Sequence, residues 1–134
     1  MNIIDHLSVG VADINAAEAF YSPLLAKLNI LALAKTEGFV AYGTDAVQFL
    51  IMKPENGEAA SQGNGTHVCF RASSQMAVDA FHAQAIAAGG ICAGQPGPRA
   101  AYPLPDVYTT FVRDPFGNKL EAIFQGFAGV PGDE

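Results

Sequence analysis

Hydrophobic and polar positions alternate from Asn2 to Val11, with Leu7, Val9 and Val11 on one face and Ile4, His6, Ser8 and Gly10 on the other. This period of two predicts a strand with one dry face. Asp13 is placed to cap a helix, in which Ala17, Phe20, Tyr21, Leu24, Leu25 and Leu28 recur at helical spacing. Pro23 falls inside that pattern and is expected to kink the helix or start a new turn, because it lacks an N–H and crowds the turn before it. Asn29 is a stop signal. Three short extended runs follow at 30–35, 39–42 and 46–52, broken at Glu37-Gly38 and Gly43-Thr44-Asp45. Residues 54–64 (PENGEAASQGN) form a polar, Gly-containing linker.

The pattern then restarts. Thr66 to Ala72 alternates again, with His67, Cys69 and Arg71 on one face and Val68, Phe70 and Ala72 on the other. Ser73 or Ser74 caps a second helix that ends at Gly89-Gly90. A shift of 61 residues lays His6 on His67, Glu18 on Asp79, Ala19-Phe20 on Ala80-Phe81, Leu25 on Ile86 and Ile30 on Ile91. One supersecondary unit is therefore repeated. Residues 94–106 (GQPGPRAAYPLPD) are an insertion in the second copy and read as a surface loop of the kind that lines sites. The chain closes with a strand from Tyr108 to Arg113, a turn at Asp114-Pro115-Phe116-Gly117-Asn118 and a returning strand. That strand sets Leu120, Ala122 and Phe124 on one face and Glu121, Ile123 and Gln125 on the other.

The predicted fold is α+β, with two tandem βαβββ modules forming a cleft-like curved mixed sheet and the helices outside. It is one domain over 1–134, with module 1 at about 1–53, the linker at 54–64, module 2 at about 65–125 and a loose tail at 126–134. Half of the residues are hydrophobic and 15% are charged, as in a globular chain. A net charge of −6 with seven Lys plus Arg, and no basic run, argues against nucleic acid and anionic membranes as partners. No secretory signal pattern is visible, and no apolar run approaches the roughly 18 residues that span a bilayer. Two cysteines, Cys69 and Cys92, make no disulfide framework and point to a reducing compartment, with the cytoplasm expected.

Three residues could carry chemistry. His6 and His67 occupy equivalent places in the two modules, and Glu121 lies among apolar neighbours, where an unpaired carboxylate is expensive. If the modules pack with pseudo-twofold symmetry, two imidazoles and a carboxylate project into one cavity. That donor set suits a single divalent ion (Zn, Fe, Ni, Co or Mn) and leaves positions open for substrate. The plain alternative pairs Glu121 with Arg71, Arg99 or Arg113.

The motifs IIDHLSVGVAD (3–13), GTHVCFRA (65–72) and FVRDPFGNKLEAI (111–123) resemble those of the vicinal oxygen chelate superfamily, which includes glyoxalase I, bleomycin-resistance proteins and extradiol dioxygenases. The resemblance implies paired βαβββ modules and metal ligands at His6, His67 and Glu121. It also implies a metal that chelates a small oxygenated substrate and stabilises an enolate-like intermediate. No other acid stands on the predicted cavity strands, so Glu121 is also the candidate proton shuttle. Glyoxalase I-like members take a fourth ligand from the last strand of the first module. Here the run AVQFLIM places Phe49 there, or Gln48 if the register slips by one residue. The alternative within the family is a small-molecule-binding protein without chemistry. Arg71 and Arg99 are candidates to grip an anionic substrate. Phe49, Tyr102 and Tyr108 are candidate pocket walls, with the Tyr108 hydroxyl a donor to an oxyanion. In this superfamily modules pair within a chain or between chains, so a homodimer with shared clefts is one of two arrangements left open.

Overall fold

A computed structural model describes residues 3–126, so most of the tail expected to be loose lies outside the described residues. The elements follow the order β1 (Leu7–Gly10), α1 (Ile14–Ala26), β2 (Leu31–Lys35), β3 (Phe39–Gly43), β4 (Val47–Met52), β5 (Val68–Arg71), α2 (Gln75–Ala87), β6 (Ile91–Pro98), β7 (Tyr108–Arg113) and β8 (Lys119–Phe124). Shifted by 61 residues, β1 falls on β5 and α1 on α2 end to end, so the repeat seen in the sequence is a repeat of structure.

Each helix begins where a side chain can satisfy its free N–H groups. Asp13 accepts from Ala16 N–H and Ser74 from Ala77 N–H. Both end on a left-handed residue: Asn29 at φ 62° and Gly89 at φ 99°. Pro23 does not divide α1, which runs through it as one helix. The Pro-rich start of the predicted loop is instead the end of β6. Pro96 and Pro98 are tolerated there because β6 is an edge strand, where a missing N–H breaks no inner ladder.

The strands form two four-stranded mixed sheets, ordered β1-β4-β3-β2 and β5-β8-β7-β6, with no ladder between them. In each module the first strand runs parallel to the last, Leu7 opposite Phe49 and Val68 opposite Leu120. One face of each sheet carries Tyr42, Phe49 and Ile51, or Phe70, Leu120 and Ala122. These faces share a single core with Phe20, Tyr21, Leu24 and Leu25 of α1 and Phe81 of α2. Phe49 of the first module meets Phe70 of the second edge to face, with centroids 5.0 Å apart. The opposite faces of the sheets turn away from this core; in the second sheet that face carries Thr109, Phe111, Glu121 and Ile123, each at most 5% exposed, with His67 and Arg71 at its exposed margin.

A buried turn fastens the modules to each other. Asp114, only 2% exposed, accepts hydrogen bonds from the N–H groups of Phe116 and Asn118 (2.8 Å each), from Asn118 Nδ2 (2.9 Å) and from the Tyr21 hydroxyl on α1 (2.5 Å). The second Asn118 Nδ2 proton goes to the Gly10 carbonyl on β1 at 2.9 Å. The turn needs Gly117 at φ 92°, where a side chain would be strained. Burial first, and the Asp114 carboxylate second, hold the Tyr21 pKa well above its ordinary value. A raised phenol pKa contributes stability in full below about pH 10 and loses it as the pH climbs toward the folded value. Replacing Tyr21→Phe should therefore lower urea-measured stability by about 1.5–3 kcal/mol at neutral pH. The gap to wild type should narrow between about pH 9 and pH 11, because only the wild type carries this proton. A constant gap across that range would mean that the phenol does not titrate with unfolding.

Candidate functional site

The outer face of the second sheet gathers the polar chemistry. Parallel pairing of β5 with β8 sets Cys69 beside Glu121, and antiparallel pairing sets Phe111 of β7 on its other side. Glu121 is 1% exposed. Its Oε1 faces His67 Nε2 at 3.0 Å, and its Oε2 accepts from the hydroxyls of Tyr102 (2.5 Å) and Thr109 (2.6 Å). The Thr109 hydroxyl has one proton and also lies 2.9 Å from the Ala122 carbonyl. The shorter, charge-assisted bond to the carboxylate claims it. None of Arg71, Arg99 or Arg113 pairs with Glu121. Arg99 stacks over the Phe111 ring at 4.6 Å, and Arg113 donates to the Gly117 carbonyl at 2.8 Å.

The surroundings keep neutral groups neutral. Desolvation first, and then the bond to Glu121, raise the Tyr102 pKa. Desolvation and the same carboxylate raise that of Cys69, so its thiol is not a ready nucleophile. On α2, desolvation lowers the His82 pKa, and its buried Nε2 has no hydrogen-bond partner among the described residues.

Of the residues singled out in the sequence, the structure brings together His67, Glu121 and Tyr102, with Arg99 nearby through Phe111. It does not bring His6 to them. His6 is half exposed ahead of β1, with Nδ1 2.7 Å from Asp5. Among the described residues no three His, Cys, Asp or Glu side chains are grouped to hold a metal ion. Tyr108 pairs with Phe124 rather than standing on the Glu121 face, and its hydroxyl donates to Asp79 at 2.6 Å. It is therefore a strand-to-helix tie and not an oxyanion donor at this carboxylate. Phe49 is a core residue, 3% exposed, and neither it nor Gln48 is the counterpart of Glu121. Leu50 lies opposite Ser8 as Glu121 lies opposite Cys69, so the equivalent position in the first module is Leu50. Thr109 was invisible in the sequence as a site residue. Only the β7–β8 register places it diagonally across from Glu121.

A two-residue nitrogen and oxygen donor pair on neighbouring strands is the kind of set that a borderline divalent ion accepts. His67 and Glu121 fit such an ion as part of a larger set, and among the described residues no third ligand is grouped beside them.

Comparison with known proteins agrees with this architecture. The family model described as the glyoxalase/bleomycin resistance protein/dioxygenase superfamily matches residues 3–122. No curated protein matches the chain. Among solved structures, a glyoxalase/bleomycin resistance protein from Albidiferax ferrireducens is 36% identical, with a TM-score of 0.84 over 93% of this chain and 100% of that one. A family enzyme from Burkholderia phytofirmans shares the fold at 19% identity and a TM-score of 0.67, covering 90% of this chain and 96% of that one. A lactoylglutathione lyase from Agrobacterium tumefaciens does so at 21% identity and a TM-score of 0.63, covering 92% of this chain and 94% of that one. With its two βαβββ modules, the 61-residue repeat that relates them and a family match over nearly all of its described residues, the chain belongs to the glyoxalase/bleomycin resistance protein/dioxygenase superfamily.

Proposed function

We propose that this chain is a small metal-dependent enzyme of its superfamily, acting on a small oxygenated substrate. The observation that supports this most directly is His67 Nε2 facing Glu121 Oε1 at 3.0 Å on the outer sheet face. His67 and Glu121 would hold one divalent ion, of the Zn, Fe, Ni, Co or Mn class. Such an ion supplies Lewis-acid polarisation of a carbonyl or enediolate oxygen. The residues of the chain divide the remaining work. Tyr102 and Thr109 fix Glu121 through Oε2 and leave Oε1 turned toward His67. Oε1 is then the atom that takes and returns a substrate proton.

The third ligand is His6 of a second copy. His6 is exposed and lies on the outer side of β1, so a dimer that apposes the outer face of the first sheet to that of the second would deliver it. Two equivalent clefts would result, as a twofold interface requires.

A reading without chemistry, as a small-molecule-binding protein, is favoured by one feature. Leu50 stands where a fourth ligand would stand, and Glu121 already receives three protein groups.

Metal analysis separates the two. Protein purified without tag or chelator should carry about one divalent ion per chain, lost in His6→Ala and in His67→Ala, and Glu121→Gln should both abolish turnover and weaken metal binding. Absence of metal, with no uptake on soaking, would favour the binding protein. Retained turnover in Glu121→Gln would remove its proton role. If the site spans two chains, mixing His6→Ala protein with Glu121→Gln protein should restore metal to roughly a quarter of sites at random pairing. No recovery from dimers shown to have exchanged subunits would place all ligands within one chain.

The hydroxyls that hold Oε2 provide a further check. Thr109→Val should weaken metal binding by roughly 10–100-fold, and Thr109→Ser should restore it, as read by competition with a chromogenic chelator. Equal affinity in all three proteins would show that Thr109 does not orient the carboxylate.

A further inference from the structure

The two modules also enclose a cavity that the His67–Glu121 site does not use. It has a volume of about 820 Å³ and opens between the start of β1 and the ends of β5 and β8. Its lining is largely apolar and comes from both modules: Ile3, Ile4 and Leu7 are exposed at its mouth, and Leu28, Phe49, Val68, Phe70 and Ile123, each at most 8% exposed, form its floor. His67, Tyr102, Thr109 and Glu121 are not among its lining residues. Cys69 and Ile123 line it and also neighbour Glu121 and Thr109 across the β5–β8–β7 ladder.

Two charged residues reach this cavity, Asp5 and Arg71. Asp5 is engaged with His6 at 2.7 Å. Arg71 is exposed at the end of β5, and among the described residues no carboxylate lies within ion-pair distance of it. Gln48, Gln125 and Ser73 supply neutral hydrogen-bonding groups at the rim. A concave space of this size with apolar walls and few polar groups has the character of a small-molecule pocket. Its one uncommitted charge, among the described residues, is a planar guanidinium suited to a two-oxygen anion.

We propose that this cavity binds an apolar monoanion, an aromatic or branched aliphatic carboxylate, with its body between Phe49 and Ile123 and its carboxylate on Arg71. The site uses none of the proposed ligands, although Asp5 and Leu7 flank His6 and Arg71 and Ile123 share the sheet face of Glu121.

The test uses two fluorescent probes of similar shape: anilinonaphthalenesulfonate, which is anionic, and N-phenylnaphthylamine, which is neutral. Wild-type protein should bind one of either per chain. Arg71→Met should weaken the anionic probe roughly tenfold or more and leave the neutral one nearly unchanged, as loss of a charge-assisted contact requires. Thr44→Trp, at an exposed position on the cavity lip, should weaken both. Phenylacetate should displace the anionic probe from wild type but not affect the neutral probe on Arg71→Met. Circular dichroism and the metal content of each variant report whether the fold and the neighbouring site are intact. Equal affinity of the anionic probe for wild type and Arg71→Met would overturn the proposal. So would several probe molecules per chain that Thr44→Trp fails to block.

Discussion

A single buried carboxylate sets how the two halves of this protein meet. Asp114 sits out of water and receives four donors, two from the backbone of its own turn, one from Asn118 and one from Tyr21 across the module boundary. A buried charge left short of partners is strongly destabilising, so each donor is held in place by the penalty for its loss. Asn118 extends the arrangement by reaching the Gly10 carbonyl of β1. The turn thus fixes the position of α1 and β1 relative to β7 and β8. The contact of Phe49 with Phe70, the common core and the cavity between modules all depend on that placement.

Much of this was legible along the chain. Period-two and helical spacings fixed the elements, and the 61-residue repeat fixed their duplication, because both are local properties of residue order. What depends on register was not legible. The offset between β1 and β4 decides whether Phe49 or Leu50 answers to Glu121, and a one-residue slip exchanges the two faces. The same reasoning hides Thr109, whose hydroxyl reaches Glu121 only through the pairing of β7 with β8. Tyr108 was misplaced for the converse reason: its neighbours in sequence suggest the site, while its face of the strand points to Asp79. The turn at 114–118 was recognised as a turn, but nothing local shows that Asp114 and Asn118 also join distant elements.

The two modules have the same frame and opposite chemistry. In the second, the outer sheet face holds a carboxylate, an imidazole and two hydroxyls. In the first, the matching positions are Leu50 and Ser8, with His6 ahead of the strand. Within the superfamily to which the chain belongs, a duplicated scaffold has here kept its polar load on one side.

The parallel pairing of β5 with β8 bears on the order in which the chain assembles. Glu121 meets Thr109 across 12 intervening steps of chain and Tyr102 across 19, but it meets His67 only across 54. Closing the longest of these loops is dearer in chain entropy than closing the shortest by roughly 1 kcal/mol. The β7–β8 hairpin closes over the fewest residues and brings the Thr109 hydroxyl to the carboxylate, whereas the imidazole needs the long-range pairing of β5 with β8. Non-local parallel strands are slow to dock. The carboxylate thus takes one partner from its own hairpin and another from a distant strand, so its local orientation and its long-range pairing rest on separate closures of the chain.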